Sequence, residues 1–139
     1  MDQRLIFTPM GSLAFLTFGV LALIPLRRFR AGAAGQIVGD DFKFGESANV
    51  PGHVSIPNRN YMNLLELPVL FYVVCLMFFV SRLVTPLIME LAWAYVGFRI
   101  AQTLIHVSYN NVIHRLTMFA VSNFILVTLW IMFFFPLGT

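Results

Sequence analysis

The chain is 139 residues long, which is the length of one domain. Hydrophobic residues make up 59% of it, charged residues only 11%, and the mean hydropathy is +0.83. This composition excludes an ordinary soluble domain and indicates a protein of the lipid bilayer. The net charge of +3 comes from basic residues scattered among apolar runs, so we interpret it as a topology signal and predict no nucleic-acid partner. The single cysteine excludes an intrachain disulfide and a cysteine metal cluster, and we predict no metal site.

Four apolar segments follow one another along the chain, and each has about the 20 residues that a helix needs to cross a bilayer. We predict one membrane domain, residues 1–139, with spans at residues 9–26, 60–80, 86–107 and 116–136. Two of the spans open with a Thr-Pro pair, Thr8-Pro9 and Thr85-Pro86. Such a pair is typical of a helix start, because the Thr side chain caps the helix and Pro is tolerated in the first turn.

A polar loop at residues 27–59 joins the first two predicted spans, whereas the other two connections are short. Short connections make neighbouring helices antiparallel, so the sequence predicts an all-α, up-and-down bundle of four transmembrane helices. Most basic residues fall on the side of the long loop, which the positive-inside rule assigns to the cytoplasm, with both termini on the outer side. The role of the loop stays open, since Asp40 and Asp41 could repel a membrane surface or cover a pocket.

Polar residues continue into the second and third predicted spans. Each of these helices carries three polar residues at helical spacing, and hence on one face. The two sets are Arg59, Asn63 and Glu66 in the second span and Arg99, Gln102 and His106 in the third. Both sets lie toward the cytoplasmic end, so we expect them to meet.

Arg99 lies far from either end of its span, where inserting an arginine costs about 2.5 to 3.5 kcal/mol. Glu66 is the only acid at a suitable depth, so we predict a structural intramembrane pair of Arg99 and Glu66. More cations, Arg115 among them, crowd this end than one acid can neutralise. Such a surplus suits an anionic ligand, but polar contacts of this kind also serve simply to link membrane helices.

The pattern Arg59-x-x-x-Asn63-x-x-Glu66, followed by a proline in an apolar run, resembles the second-helix signature of the MAPEG family, the membrane-associated proteins in eicosanoid and glutathione metabolism. The segment RIAQTLIHVSYNNVIHR is similar to the third-helix region of its glutathione-dependent members, which also have two arginines sixteen residues apart, here Arg99 and Arg115. The variant in this chain is most similar to an uncharacterised bacterial branch. The resemblance covers essentially the whole chain.

The resemblance implies a homotrimer in a bacterial inner membrane, with the termini periplasmic and glutathione bound between neighbouring subunits near the cytoplasmic face. The residues implied to bind it are Arg59, Asn63, Glu66, Gln102 and His106. Arg115 is implied to be catalytic, because a cation beside the glutathione sulfur favours the nucleophilic thiolate over the thiol. The implied activity is that of a transferase or peroxidase acting on lipophilic small molecules that arrive from the bilayer.

Three positions depart from the family pattern. His106 stands where catalytic members carry a Tyr, Gln102 stands where some carry a His, and Phe119 replaces another Tyr. These departures keep a second hypothesis open, in which the chain is a non-catalytic, lipid-binding protein or an accessory subunit of a membrane complex.

Overall fold

The structure is a computed structural model that describes residues 1–138, and this part of the chain contains helices and no strand. The α-helices are α1 (Phe7–Ala33), α2 (Gly52–Leu65), α3 (Pro68–Val80), α4 (Pro86–Val107) and α5 (Val112–Phe134). Short 3-10 helices lie at Gln3–Ile6, Gly39–Phe42 and Phe135–Gly138. Because α2 and α3 are two parts of one interrupted apolar segment, the predicted all-α bundle of four helices is confirmed.

The interruption between α2 and α3 falls at Glu66 and Leu67. Pro68, the first residue of α3, has no backbone N–H, and its ring crowds the carbonyl of Leu64 one turn earlier. The backbone of Glu66 leaves the helical region, with ψ at −104°. The predicted span at residues 60–80 is therefore two helices rather than one.

Three segments are long and apolar enough to cross a membrane by length and composition, namely Gln3–Ala33, Gly52–Val80 and Val112–Phe134. The fourth helix, α4, has 22 residues and is about 33 Å long, but polar residues interrupt its apolar sequence. It contacts α1, α2 and α5, and in its second half it buries Arg99, Gln102, Thr103 and His106. The length of α4 agrees with the prediction, whereas its composition sets it apart from the other three segments.

Hydrogen bonds at the two ends of the bundle fix the direction of the helices. At one end, the Gln3 side chain donates to the carbonyl of Val84 at 3.1 Å and accepts from the N–H of the same residue at 2.8 Å. At the other end, Arg27 donates to the carbonyls of His53 at 2.8 Å and Val107 at 3.0 Å. These contacts join the start of α1 to the start of α4, and the end of α1 to the end of α4. The up-and-down arrangement is thus confirmed.

Only one of the two predicted Thr-Pro helix starts is correct. Thr85 caps α4, since its hydroxyl oxygen accepts from the N–H of Ile88 at 3.3 Å. Thr8 instead lies within α1 and donates its hydroxyl to the carbonyl of Leu5 at 2.7 Å. The 3-10 helix before α1 supplies an earlier start, and Asp2 caps that helix.

The loop between the first two helices is shorter than predicted, because α1 continues past Pro25 to Ala33 and α2 begins at Gly52. Arg28 holds the loop onto α1, with its guanidinium 3.2 Å from the Glu46 carboxylate and 4.4 Å from the centre of the Phe42 ring. The loop is thereby a folded segment packed on the end of the bundle.

Asp41 organises the interior of this loop. Its carboxylate accepts from the N–H of Val38 at 2.9 Å and from the hydroxyl of Ser47 at 3.0 Å. These bonds explain why an acid stands at this position, a question that the sequence left open. Asp40 is exposed, and its backbone carbonyl accepts from the N–H of Lys43 at 3.2 Å.

Candidate functional site

Near the end of the bundle that carries the loop, α2, α4 and α5 surround a cleft of about 210 Å³. Its lining residues come from all three helices and are Asn63, Gln102, Val112, Arg115, Leu116 and Phe119. One wall is polar and the other is apolar. This amphipathic cleft is the candidate functional site.

Arg115 lies in the first turn of α5, which Asn111 caps by accepting from the N–H of His114 at 3.1 Å. This cap starts the helix at Val112, four residues before the predicted span at 116, and so fixes where Arg115 points. The side chain is half-buried, and its Nη1 donates to the Oδ1 atom of Asn110 at 2.7 Å. Among the residues that line the cleft, Arg115 carries the positive charge.

Gln102 and His106 lie on the buried face of α4, and each is only 3% exposed. The Oε1 atom of Gln102 and the Nδ1 atom of His106 have no hydrogen-bond partner in the part of the chain that the structure describes. A buried polar atom left unbonded costs about 1 to 3 kcal/mol. Gln102 lines the cleft, so a ligand with polar groups can satisfy its oxygen; His106 lies one turn further along the same face.

Arg99 is 1% exposed, and the predicted ion pair between Arg99 and Glu66 is not formed. The Nη2 atom of Arg99 instead donates to the backbone carbonyl of Asn63 at 2.9 Å. That carbonyl is in the last turn of α2, where backbone oxygens lack a full set of helical partners. Glu66 follows at the helix break, where its side chain is exposed. At the helix break, Glu66 is thus exposed, and the carbonyl of Asn63 accepts the hydrogen bond from Arg99.

The guanidinium of Arg99 also lies over the face of Phe119, with its central carbon 5.6 Å from the ring centre. Its Nε and Nη1 atoms have no hydrogen-bond partner within residues 1–138. Because Asn63 and Phe119 both line the cleft, Arg99 is a buried cation directly behind the cleft wall. It adds positive charge to the site although it does not itself line it.

The residues predicted to bind glutathione are only partly brought together. Asn63 and Gln102 line the cleft beside Arg115, the predicted catalytic residue. His106 is buried one turn beyond Gln102 and does not line the cleft. Arg59 on α2 and Glu66 at the helix break are exposed and do not line it either. A single subunit therefore assembles only part of the predicted set.

The contact between Asn110 and Arg115 was not predicted from the sequence. Asn110 has a positive φ of 48°, and its N–H donates to the carbonyl of Ile105 at 2.8 Å. An asparagine between two predicted helices is a recognisable signal, since Asn adopts this left-handed conformation more readily than most residues. The hydrogen bond itself depends on the exact turn, which residue types alone do not determine.

The fold and the cleft define a class of protein, a multi-helix membrane protein with an amphipathic, cationic cleft near one end of the bundle. A family model described as the MAPEG family matches residues 6–135, and the chain belongs to this family. Comparisons with curated proteins and with solved structures give no match. The resemblance drawn from the two helix motifs is confirmed at the level of the family, that of membrane proteins in glutathione and eicosanoid metabolism.

Proposed function

We propose that the protein is a membrane-embedded, glutathione-dependent transferase or peroxidase that acts on lipophilic electrophiles. The observation that carries this proposal is the cleft in which Arg115, Asn63 and Gln102 meet beside an apolar wall. Membership of the MAPEG family supports glutathione as the cosubstrate. An amphipathic cleft suits a reaction between a polar thiol and a hydrophobic partner, because each needs its own kind of surface.

The residues around the cleft fit glutathione, which carries two carboxylates, an amino group, two amides and a thiol. The guanidinium of Arg115 suits an anionic group, and the unbonded Oε1 atom of Gln102 can accept from an amine or amide. Asn63 and His106 offer further hydrogen-bonding groups at the same end. We therefore assign these four residues to glutathione binding.

Arg59 and Glu66 take part in the proposed site only if the bound tripeptide also reaches the outer surface of α2. We propose that this happens in a homotrimer, in which the cleft of one subunit adjoins another copy of the chain. The large exposed apolar surface of the isolated subunit supports such packing, although lipid also covers apolar surface. Exposed apolar side chains of α3 and α5 include Val69, Leu70, Val73, Leu76, Phe124, Val127 and Ile131.

In the proposed mechanism, the positive charge of Arg115 stabilises the thiolate of glutathione relative to the thiol. The sulfur electron pair then attacks an electrophilic carbon, a C–S bond forms, and the leaving group departs with its bonding electrons. With a hydroperoxide, the thiolate attacks the O–O bond and an alcohol leaves, after which a second glutathione completes a disulfide and water is released. Leu116 and Phe119 would hold the lipophilic partner and exclude water from the sulfur.

A second candidate is a non-catalytic MAPEG-fold protein that binds lipid or belongs to a larger membrane complex. It is favoured by Phe119, which faces the cleft without the hydroxyl group that a tyrosine would present. In this case the same cleft would take a lipid, with Arg115 against an anionic headgroup. The two candidates differ in whether the cleft binds glutathione.

We also propose that α4 is the fourth span, that the membrane is a bacterial inner membrane, and that both termini are periplasmic. The support for this orientation is the charge of the cleft end, which carries Arg27, Arg28 and Arg30 at the end of α1. The cleft would then face the cytoplasm, which is reducing and keeps thiols in the reduced form.

Calorimetry of glutathione binding to the detergent-purified protein separates the two candidates. We expect binding between about 1 μM and 1 mM, the usual range for enzyme substrates, and at least a tenfold loss for Gln102→Leu. The matched control is Gln36→Leu, because Gln36 is an exposed loop glutamine outside the cleft. Absence of binding in a sample that native mass spectrometry shows to be an intact trimer would exclude the enzyme and leave the lipid-binding protein.

A further inference from the structure

The connection between α4 and α5 places one asparagine in an unusual backbone conformation beside the cleft. Asn110 has a φ of 48°, and its N–H is bonded to the carbonyl of Ile105 at 2.8 Å. Its side chain extends toward the first turn of α5, where its Oδ1 atom accepts a hydrogen bond from Nη1 of Arg115. The left-handed turn thus aims an amide oxygen at the cation of the proposed site.

The hydrogen-bond partner of Arg115 is the neutral amide of Asn110. The salt bridges within residues 1–138 join Arg4 to Asp2 and Arg28 to Glu46, and neither involves Arg115. The contact with Asn110, at 2.7 Å, is as short as charge-assisted hydrogen bonds usually are. The guanidinium is therefore held in one orientation without a carboxylate that would cancel its charge.

An anion beside the cleft benefits from both properties of this arrangement. A long arginine side chain loses binding energy when it must be ordered at the moment of ligand binding, and prior ordering removes that cost. A neutral acceptor leaves the full positive charge for the anion, whereas an acidic acceptor would compete with it. Asn110 therefore orders the Arg115 guanidinium and leaves its positive charge uncancelled.

We infer that Asn110 is a positioning residue, which orients the Arg115 guanidinium toward the sulfur of bound glutathione. This inference rests on the proposed function and adds to it the residue that orients Arg115. Asn110 acts only through Arg115. It strengthens binding of a negatively charged sulfur group and not binding of the tripeptide as a whole.

The test uses two probes that differ in charge at the sulfur position, glutathione sulfonate and S-hexylglutathione. Asn110→Gly removes the amide and keeps a backbone that tolerates the left-handed conformation, so the turn is retained. Asn111→Ser is the matched control, because it removes the neighbouring amide and keeps a side-chain cap for α5. Dissociation constants are measured by calorimetry for both variants, each with and without Arg115→Ala.

We expect Asn110→Gly to weaken glutathione sulfonate binding roughly three- to tenfold, because the Arg115 side chain must then be ordered at the moment of binding, while S-hexylglutathione changes by less than about twofold. In the Arg115→Ala background, Asn110→Gly should then have no further effect. A loss of the same size in both backgrounds, or an equal loss for both probes, would overturn the inference. So would unchanged sulfonate binding.

Failure of the proposed function gives a different result. If the unsubstituted protein binds neither probe, the result excludes both the glutathione site and the positioning role of Asn110. If it binds both and Arg115→Ala weakens the sulfonate but Asn110→Gly does not, glutathione binding stands and only the role of Asn110 is overturned.

Discussion

Arg99 is a buried cation whose hydrogen bond goes to a backbone carbonyl and not to an acidic side chain. Its depth and its need for a partner followed from its place in an apolar run, and the structure does bury it. The partner was predicted as Glu66 but is the carbonyl of Asn63. Side-chain spacing assumes an unbroken helix, and the break before Pro68 moves Glu66 out of that register. The burial of Arg99 was predictable from the sequence. The atom to which it hydrogen-bonds was not, because that depends on the backbone at the helix break.

Because Arg99 bonds to a backbone carbonyl and not to Glu66, replacing Glu66 should have little effect on stability. Removing one partner of a buried ion pair costs about 3 to 5 kcal/mol, whereas exposed positions usually change stability by less than about 0.5 kcal/mol. We expect Glu66→Gln to leave the free energy of unfolding within the smaller range, because Glu66 is exposed and outside any described salt bridge. Thermal unfolding in detergent measures it, and a loss of several kcal/mol would show that the acid is paired after all.

At the scale of the helices, the sequence predicted the number and type of the elements but placed several boundaries wrongly. The apolar runs determine where helices must be, because a backbone in lipid has to bond to itself. The ends depend on single capping contacts, and these are made by Asp2 and Asn111 as well as by the predicted Thr85. The first predicted span ended at residue 26, yet α1 continues to Ala33.

The two Thr-Pro pairs provide an internal comparison for this point. We expect Thr85→Ala to destabilise the protein by about 0.5 to 2 kcal/mol, because it removes the cap of α4. Thr8→Ala removes only a hydroxyl that bonds back to Leu5, so its cost should be clearly smaller. Parallel thermal unfolding of the two variants tests the difference. Equal losses would mean that Thr8 also serves as a cap.

At the scale of the whole molecule, the bundle was predictable and the assembled site only in part. Loop lengths alone gave the antiparallel order of the helices, and the contacts of Gln3 and Arg27 agree with it. Helical spacing also identified the faces of the second and third predicted spans that meet at the cleft. Glu66 lies outside the cleft at the helix break, and in our proposal Arg59 and Glu66 reach the ligand only where a second subunit adjoins. Such features arise from packing between elements, which the spacing of residues within one element does not describe.

A pH titration of the ultraviolet thiolate absorbance of bound glutathione tests most directly whether Arg115 stabilises the thiolate. We expect a thiol pKa well below the value of about 8.5 for an unperturbed cysteine thiol. Thiolate should then persist as the pH falls below that value, and Arg115→Ala should return the pKa toward it. Arg30→Ala is the control, since Arg30 is exposed at the same end but does not line the cleft. If the pKa of the bound thiol is the same in the unsubstituted protein and in Arg115→Ala, Arg115 does not stabilise the thiolate.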